Sequence, residues 1–275
     1  GSGGKDQVVN TIALYAAISI LSAAIVLRTV TRSISNKSKP NITHGNYRYR
    51  REDQLSTRGG MADVWICVRE DNGEEFIWKE AKDGGRSNPL KKTNKNLENE
   101  KEALESLYEN PNFTSEGIPK YEAFGSYRNG MSAVNVLVME YVKGLNLEEY
   151  MEGGRRLDEV EVLEKMKQIC EPLDEMADLY DKWHHRDVKP TNIIVSRDPG
   201  RGCVLIDFGL AKQLDTGEDV SKAQGLSPHW SPPERERGKT GQFTDVFGLG
   251  KIMHYLFNPN LDKTELVYFM LFKWH

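Results

Sequence analysis

His185-Arg186-Asp187-Val188-Lys189-Pro190-Thr191-Asn192, followed fifteen residues after Asn192 by Asp207 in Val204-Leu205-Ile206-Asp207-Phe208-Gly209, decides how this 275-residue chain folds. The octet sets a base, two cations and an amide able to reach a metal within eight residues. The second stretch leads three apolar residues into a carboxylate and a glycine. A buried strand that delivers an acid at its end and then turns has this pattern. Singly, each residue has a structural explanation: Asp187 could cap a helix, and Asp207-Phe208-Gly209 could be only a turn. Both segments together, in this order and spacing, point to chemistry.

Upstream, Leu55-Ser56-Thr57-Arg58-Gly59-Gly60-Met61-Ala62-Asp63-Val64 places a glycine-rich turn between two strand-like runs. Without a Cβ in the way, backbone N–H groups there can approach phosphate oxygens, although most Gly-Gly pairs are plain turns. Twenty residues after Gly59, the apolar run Phe76-Ile77-Trp78 ends in Lys79. Alone, that lysine reads as a solvated strand end. A helix is expected from Lys95 to Tyr108, with Leu97, Glu100, Leu104 and Leu107 at three- and four-residue spacing. Glu100 falls on the apolar side of the wheel, where a carboxylate needs a cation, and Lys79 is the candidate. The competing reading is one more surface glutamate.

Short alternating segments dominate from Tyr47 to Val138 and helical periodicity dominates beyond, which predicts an α+β architecture of two unlike lobes. The 37 basic and 41 acidic side chains give a net charge of −4, without the strong basic excess of a nucleic-acid binder. Cys67, Cys170 and Cys203 are too few and too scattered for a disulfide framework, and none has the CxxC spacing of a structural zinc site.

The run from Val8 to Leu27 holds 20 residues without a charge. As a helix it would extend about 30 Å, the thickness of a bilayer's hydrocarbon core. Arg28, Arg32, Lys37 and Lys39 follow it and only Lys5 precedes it, so the C-terminal side is expected in the cytoplasm. A signal peptide would have a shorter apolar region and a cleavage site, and a core helix would show a polar stripe.

On these motifs, residues from about Tyr47 to Phe257 resemble the eukaryotic-like serine/threonine protein kinase family. The resemblance implies a bilobal protein-kinase-like fold, with a β-rich N-lobe and a mostly helical C-lobe; the uncharged run adds one transmembrane helix before it. Residues 1–7 would be a short extracytoplasmic tail, 8–30 the membrane helix, 31–46 a juxtamembrane linker, 47–142 the N-lobe and hinge, and 143–275 the C-lobe. It also implies ATP and Mg2+ as cofactors and protein serine and threonine hydroxyls as substrates. Lys79 is similar to the lysine that holds the α- and β-phosphates, with Glu100 as its helix-C partner. Asp187 resembles the catalytic base, Lys189 the lysine that neutralises the γ-phosphate, and Asn192 and Asp207 the magnesium ligands. Thr57, Gly59, Gly60, Ala62, Val64 and Ile77 would surround the nucleotide from the N-lobe, and Ile194 from below. Val138-Met139-Glu140-Tyr141-Val142 resembles the hinge, with Met139 as gatekeeper and the backbones of Glu140 and Val142 bonding adenine. Thr244-Asp245-Val246 resembles the start of helix F, whose aspartate anchors the catalytic loop. Lys189 and Ser227 indicate serine/threonine specificity. Arg186 implies control by an anion on the activation segment, with Thr216 and Ser221 as the candidate phosphosites and trans-phosphorylation in a homodimer as the route.

The chain also departs from the family pattern. Thr57 and Ala62 stand where the loop's first and third glycines belong, and Ile77 stands where a small residue is usual against adenine. Pro172 is expected to interrupt the helix running from Asp158 to Lys182. The turn from Ser196 to Gly202 is about two residues longer than usual. After helix F there is room for one more helix, so the C-lobe reads as truncated and the chain as a fragment. The alternative function is a pseudokinase, a membrane-bound signalling scaffold without phosphoryl transfer.

Overall fold

The computed structural model describes residues 39–56, 62–82, 89–179, 182–213, 218–219, 229–233 and 240–259. The run from Val8 to Leu27 lies outside them; among the described residues no helix is long and apolar enough to cross a membrane.

Six antiparallel strands form the first lobe: β1 (Asn41–His44), β2 (Tyr47–Ser56), β3 (Ala62–Arg69), β4 (Glu75–Ala81), β5 (Tyr121–Asn129) and β6 (Ser132–Glu140). Their order is β1-β2-β3-β4-β6-β5. Strand alternation divides β4 cleanly. Phe76 and Trp78 point to an outer cluster with Ile42, Tyr49, Cys67, Ala123, Val136 and Val138. Ile77, Lys79 and Ala81 point the other way, toward the second lobe, where Ala81 joins the main core. On the outer face the carboxylate of Glu80 accepts two bonds from Arg51, at 2.6 and 2.8 Å, and one from the Trp78 indole at 2.7 Å. A buried carboxylate is tolerable only when it is paired in this way.

Strand β1 corrects the expected linker of residues 31–46, because its last residues belong to the sheet. Asn41–His44 pairs with β2 across a two-residue turn opened by Gly45, at φ +56°. Ile42, 3% exposed, then packs on β5 so closely that a Cβ at Gly125 would stand 3.2 Å from it. One apolar residue in a polar stretch is too little period to read as a strand.

Helix α1 (Leu90–Glu109) begins five residues earlier than its periodicity predicts. Its first turns carry Lys91, Lys92 and Lys95 with only Thr93 buried among them, and the stripe of Leu97, Glu100, Ala103, Leu104 and Leu107 follows. In the second lobe, strand β7 (Gly144–Asn146) leads into α2 (Leu147–Met151). Helix α3 (Glu159–Asp178) follows and opens with a reciprocal cap between Asp158 and Glu161. It ends short of Lys182, and Pro172 does not break it. The proline is buried, and its ring fills the space beside Gly117, where a Cβ would come within 2.8 Å. Strands β8 (Trp183–His184), β9 (Ile193–Ser196), β10 (Cys203–Leu205) and β11 (Lys212–Gln213) make small antiparallel pairs around the segments quoted first. Beyond the short pair β12 (Glu218–Asp219) and β13 (Thr240–Gly241) comes α4 (Gln242–Phe257), which packs on α3. The main core runs without a break from Leu97 and Leu137 to Ile169, Leu205 and Ile252, so one apolar cluster joins both lobes.

Candidate active site

Strand register assembles the upper wall. Lys79 lies opposite Val64 on β3, and Ile77 lies opposite Met139 on β6, so these four share the face turned toward the second lobe. From there the Lys79 ammonium donates to Glu100 Oε2 at 2.6 Å and to Asp207 Oδ1 at 2.8 Å. The lysine is the partner the buried carboxylate requires. Two carboxylates hold its charge above the usual lysine range against the opposing desolvation. Burial pushes Glu100 up, with Lys79 pulling the other way. Asp207, half-buried, is held down at about 2 by Lys79 first and Lys189 next, against the opposing desolvation.

Helix α1 also grips the segment after β10. The second oxygen of Glu100 accepts the Phe208 N–H at 3.2 Å. Asn99, one residue before it, donates its amide to the carbonyls of Gly209 at 3.2 Å and Ala211 at 2.8 Å. Asp207 takes a left-handed backbone, φ 70° and ψ 74°, and Phe208 turns inward, edge-on to His185 at 4.8 Å between ring centroids.

The lower wall is the octet. Asp187 accepts from Lys189 Nζ at 2.6 Å and from the Asn192 amide at 3.1 Å; that amide also donates to the Asp187 carbonyl at 2.9 Å. The loop is anchored from below. The carboxylate of Asp245, near the start of α4, accepts the N–H groups of His185 at 2.8 Å and Arg186 at 2.6 Å. Arg186, buried at φ 66°, needs such a hold, because a side chain in the left-handed region is costly. The His185 ring meets the Ile206 carbonyl at 3.1 Å and ties the loop to the stretch before Asp207. Ile194, on β9, follows two residues after Asn192.

The Asn192 amide nitrogen is committed to Asp187, which leaves its oxygen as a donor atom; Asp207 has one oxygen on Lys79 and a second beyond it. These are hard oxygen donors of the kind magnesium takes alongside phosphates and water, so the residues fit that ion.

Lys79, Glu100 and Asp207 are thus joined by hydrogen bonds, and so are Asp187, Lys189 and Asn192. Ala62, Val64, Ile77 and Met139 line the same face of the sheet, and Glu140 and Val142 lie where the chain crosses between lobes. Thr57, Gly59, Gly60, Thr216, Ser221 and Ser227 fall outside the described residues. Two residues escaped the sequence reading: Asn99, and Arg201, whose guanidinium pairs with Glu140 where the chain crosses between the lobes. Asn99 carried a faint signal, since asparagine is a poor choice in a helix interior unless its amide has a job. Arg201 carried none.

Residues 49–262 match the protein kinase domain. A probable serine/threonine-protein kinase PknB of Lactococcus lactis is 29% identical over 203 residues, covering 72% of this chain and 30% of that protein. Human myosin light chain kinase family member 4 is 34% identical over 141 residues, covering 50% of the chain and 34% of its own length. Serine/threonine-protein kinase PknB of Mycolicibacterium smegmatis is 30% identical over 125 residues, 43% of the chain and 19% of that protein. The chain thus spans between 19% and 34% of the length of these three relatives. With residues 49–262, most of its length, matching that domain, the chain belongs to the protein kinase family.

Proposed function

We propose that the chain is the catalytic part of a membrane-anchored serine/threonine protein kinase, which moves the γ-phosphoryl group of ATP to protein hydroxyls. One observation carries this reading: a single ammonium, Lys79, is held between Glu100 and Asp207 while Asp187, Lys189 and Asn192 stand in mutual hydrogen bonds. Phosphoryl transfer asks for positioning and charge neutralisation more than covalent help, and these residues supply both. Lys79 would hold the α- and β-phosphates, and the backbones of Glu140 and Val142 the adenine. Asp187 would accept the proton as the substrate oxygen bonds to the γ-phosphorus and the bond to the ADP oxygen breaks. Lys189, already turned to Asp187, would meet the γ-phosphate. Asn192 and Asp207 would hold Mg2+, which when bound offsets phosphate charge.

Lys189, two residues after Asp187, supports serine and threonine as acceptors, as do the two serine/threonine-protein kinases among the relatives. Membrane attachment rests on the uncharged run from Val8 to Leu27 and the cations after it. Regulation by phosphate at Thr216 or Ser221, delivered in trans by a second copy, rests on Arg186 beside the base. The scaffold reading has Thr57 and Ile77 in its favour, at positions where the family prefers smaller residues.

The test is transfer of radiolabelled phosphate from ATP to a generic protein substrate by the full chain and by its Asp187→Asn variant. Transfer lost in the variant supports the enzyme. Nucleotide binding with no transfer from the unaltered chain, Mg2+ present, supports the scaffold.

A further inference from the structure

The turn between β9 and β10, residues 197–202, reaches both ends of the segment that joins the lobes. At the near end the Arg201 guanidinium forms a two-pronged pair with the Glu140 carboxylate, one prong at 2.8 Å. The same guanidinium donates to the carbonyls of Ile118 at 3.0 Å and Glu116 at 3.2 Å, in the loop before β5. At the far end the Arg197 N–H donates to the Lys143 carbonyl at 2.8 Å. Glu140 is then held from the other side as well. Its N–H donates to the Lys120 carbonyl at 2.9 Å, and its carboxylate accepts the Lys120 N–H at 3.1 Å. Arg201 is 14% exposed and Glu140 27% at the side chain, so water screens the pair only in part.

The turn has the means to hold this pose. Gly202 sits at φ +66° against Gln168, where a Cβ would come within 2.5 Å, and the Gln168 side chain accepts the Cys203 N–H. The Arg201 N–H closes the turn on the Asp198 carbonyl at 3.1 Å. The Arg201 guanidinium thus ties the turn to the loop before β5 and to the end of β6, while the turn's other arm holds Lys143 through the Arg197 N–H.

We infer that Arg201 is a positioning residue for nucleotide binding, a brace that holds the backbone of residues 140–143 in the adenine-accepting pose. It never touches the nucleotide. A segment already fixed loses less freedom when adenine binds, so the brace contributes to affinity and not to the chemical step. A lysine could not replace it, because one ammonium cannot span two carboxylate oxygens and two carbonyls in a single plane. The inference rests on the reading of residues 140–142 as the adenine site.

The experiment compares the full chain with its Arg201→Ala, Arg201→Lys and Glu140→Gln variants and the double variant Arg201→Ala with Glu140→Gln. Two quantities are read: Kd for a fluorescent ADP analogue, and KM for ATP against kcat in phosphate transfer. Arg201→Ala is expected to raise Kd and KM about tenfold with kcat within about twofold, and Arg201→Lys to recover little of it. The double variant should be no weaker than Arg201→Ala alone, because the two act as one unit. Unchanged Kd and KM in Arg201→Ala would overturn the brace. So would a fall in kcat at constant KM, which is what loss of folded protein gives. If Arg201→Ala does not fold, Glu140→Gln alone decides: it keeps the backbone and weakens the pair, and an unchanged Kd there overturns the inference. Failure of the unaltered chain to bind the analogue at all would instead defeat the kinase reading on which the inference stands.

Discussion

Replacing Lys79 with methionine tests the electrostatics of the site through folding and not through catalysis. The substitution keeps the length of the side chain and removes the charge that bonds Glu100 at 2.6 Å and Asp207 at 2.8 Å. The two carboxylates fare differently. Asp207 keeps 37% of its side chain in contact with solvent and is hydrated once released, so its part of the loss is small. Glu100 is 1% exposed and would be left as a buried carboxylate without its cation. Breaking a buried pair in that way costs about 3–5 kcal/mol when the stranded group stays charged. Glu100 has an escape, because burial already pushes it toward its neutral form. Its folded-state pKa in the variant lies above its unfolded value, so it is stable as the acid and loses that stability as pH rises through the folded value. The variant should therefore fall about 3 kcal/mol below the unaltered chain at pH 8 and by much less at pH 5. Urea denaturation of both proteins at the two pH values measures the difference directly. A deficit equal at both values, or larger at pH 5, would refute the account of Glu100 as a carboxylate kept ionised by Lys79.

Asp187→Asn should lower phosphate transfer by a factor of about 10² to 10⁴ and leave nucleotide affinity within about twofold, by radiolabel assay and nucleotide titration. Asp245→Ala strands the buried N–H groups of His185 and Arg186 and should cost about 2–4 kcal/mol, read as the urea midpoint, with kcat falling alongside. Ile42→Ala should cost about 2–3 kcal/mol in the same measurement, and a loss below about 0.5 kcal/mol would show that β1 is not an integral strand. Removal of residues 1–30 should release the protein from membranes into the soluble fraction; its retention after a high-salt wash would refute a single anchor.

What could be read from the sequence was what acts locally. Asp187, Lys189 and Asn192 lie within one octet, and their bonds close over two to five residues. Lys79 and Glu100 were legible as a pair because one was a charge among leucines and the other a cation ending an apolar strand. The brace was not. Arg201 and Glu140 are 61 residues apart, and Arg201 sits in a glycine- and proline-rich turn that carries no period. Ile42 was hidden for a related reason, since its polar neighbours gave a strand nothing to alternate with. The early start of α1 and the intact helix through Pro172 both depend on contacts that local propensity does not contain.

The six-stranded sheet is packed on both sides, by Trp78 and its neighbours outside and, over part of the inner face, by Leu137 and Met139 toward the second lobe. A plate clamped on two faces is stiff, because bending it would open a void on one side or crowd the other. If residues 140–142 hold adenine as proposed, opening of the cleft to exchange nucleotide would be a swing of the whole plate, with the angular change taken up in the short crossing at residues 140–143. The torque needed for that swing would be set at the pivot, by how firmly the Ser196-to-Gly202 turn holds it, and not by the bulk of the lobe.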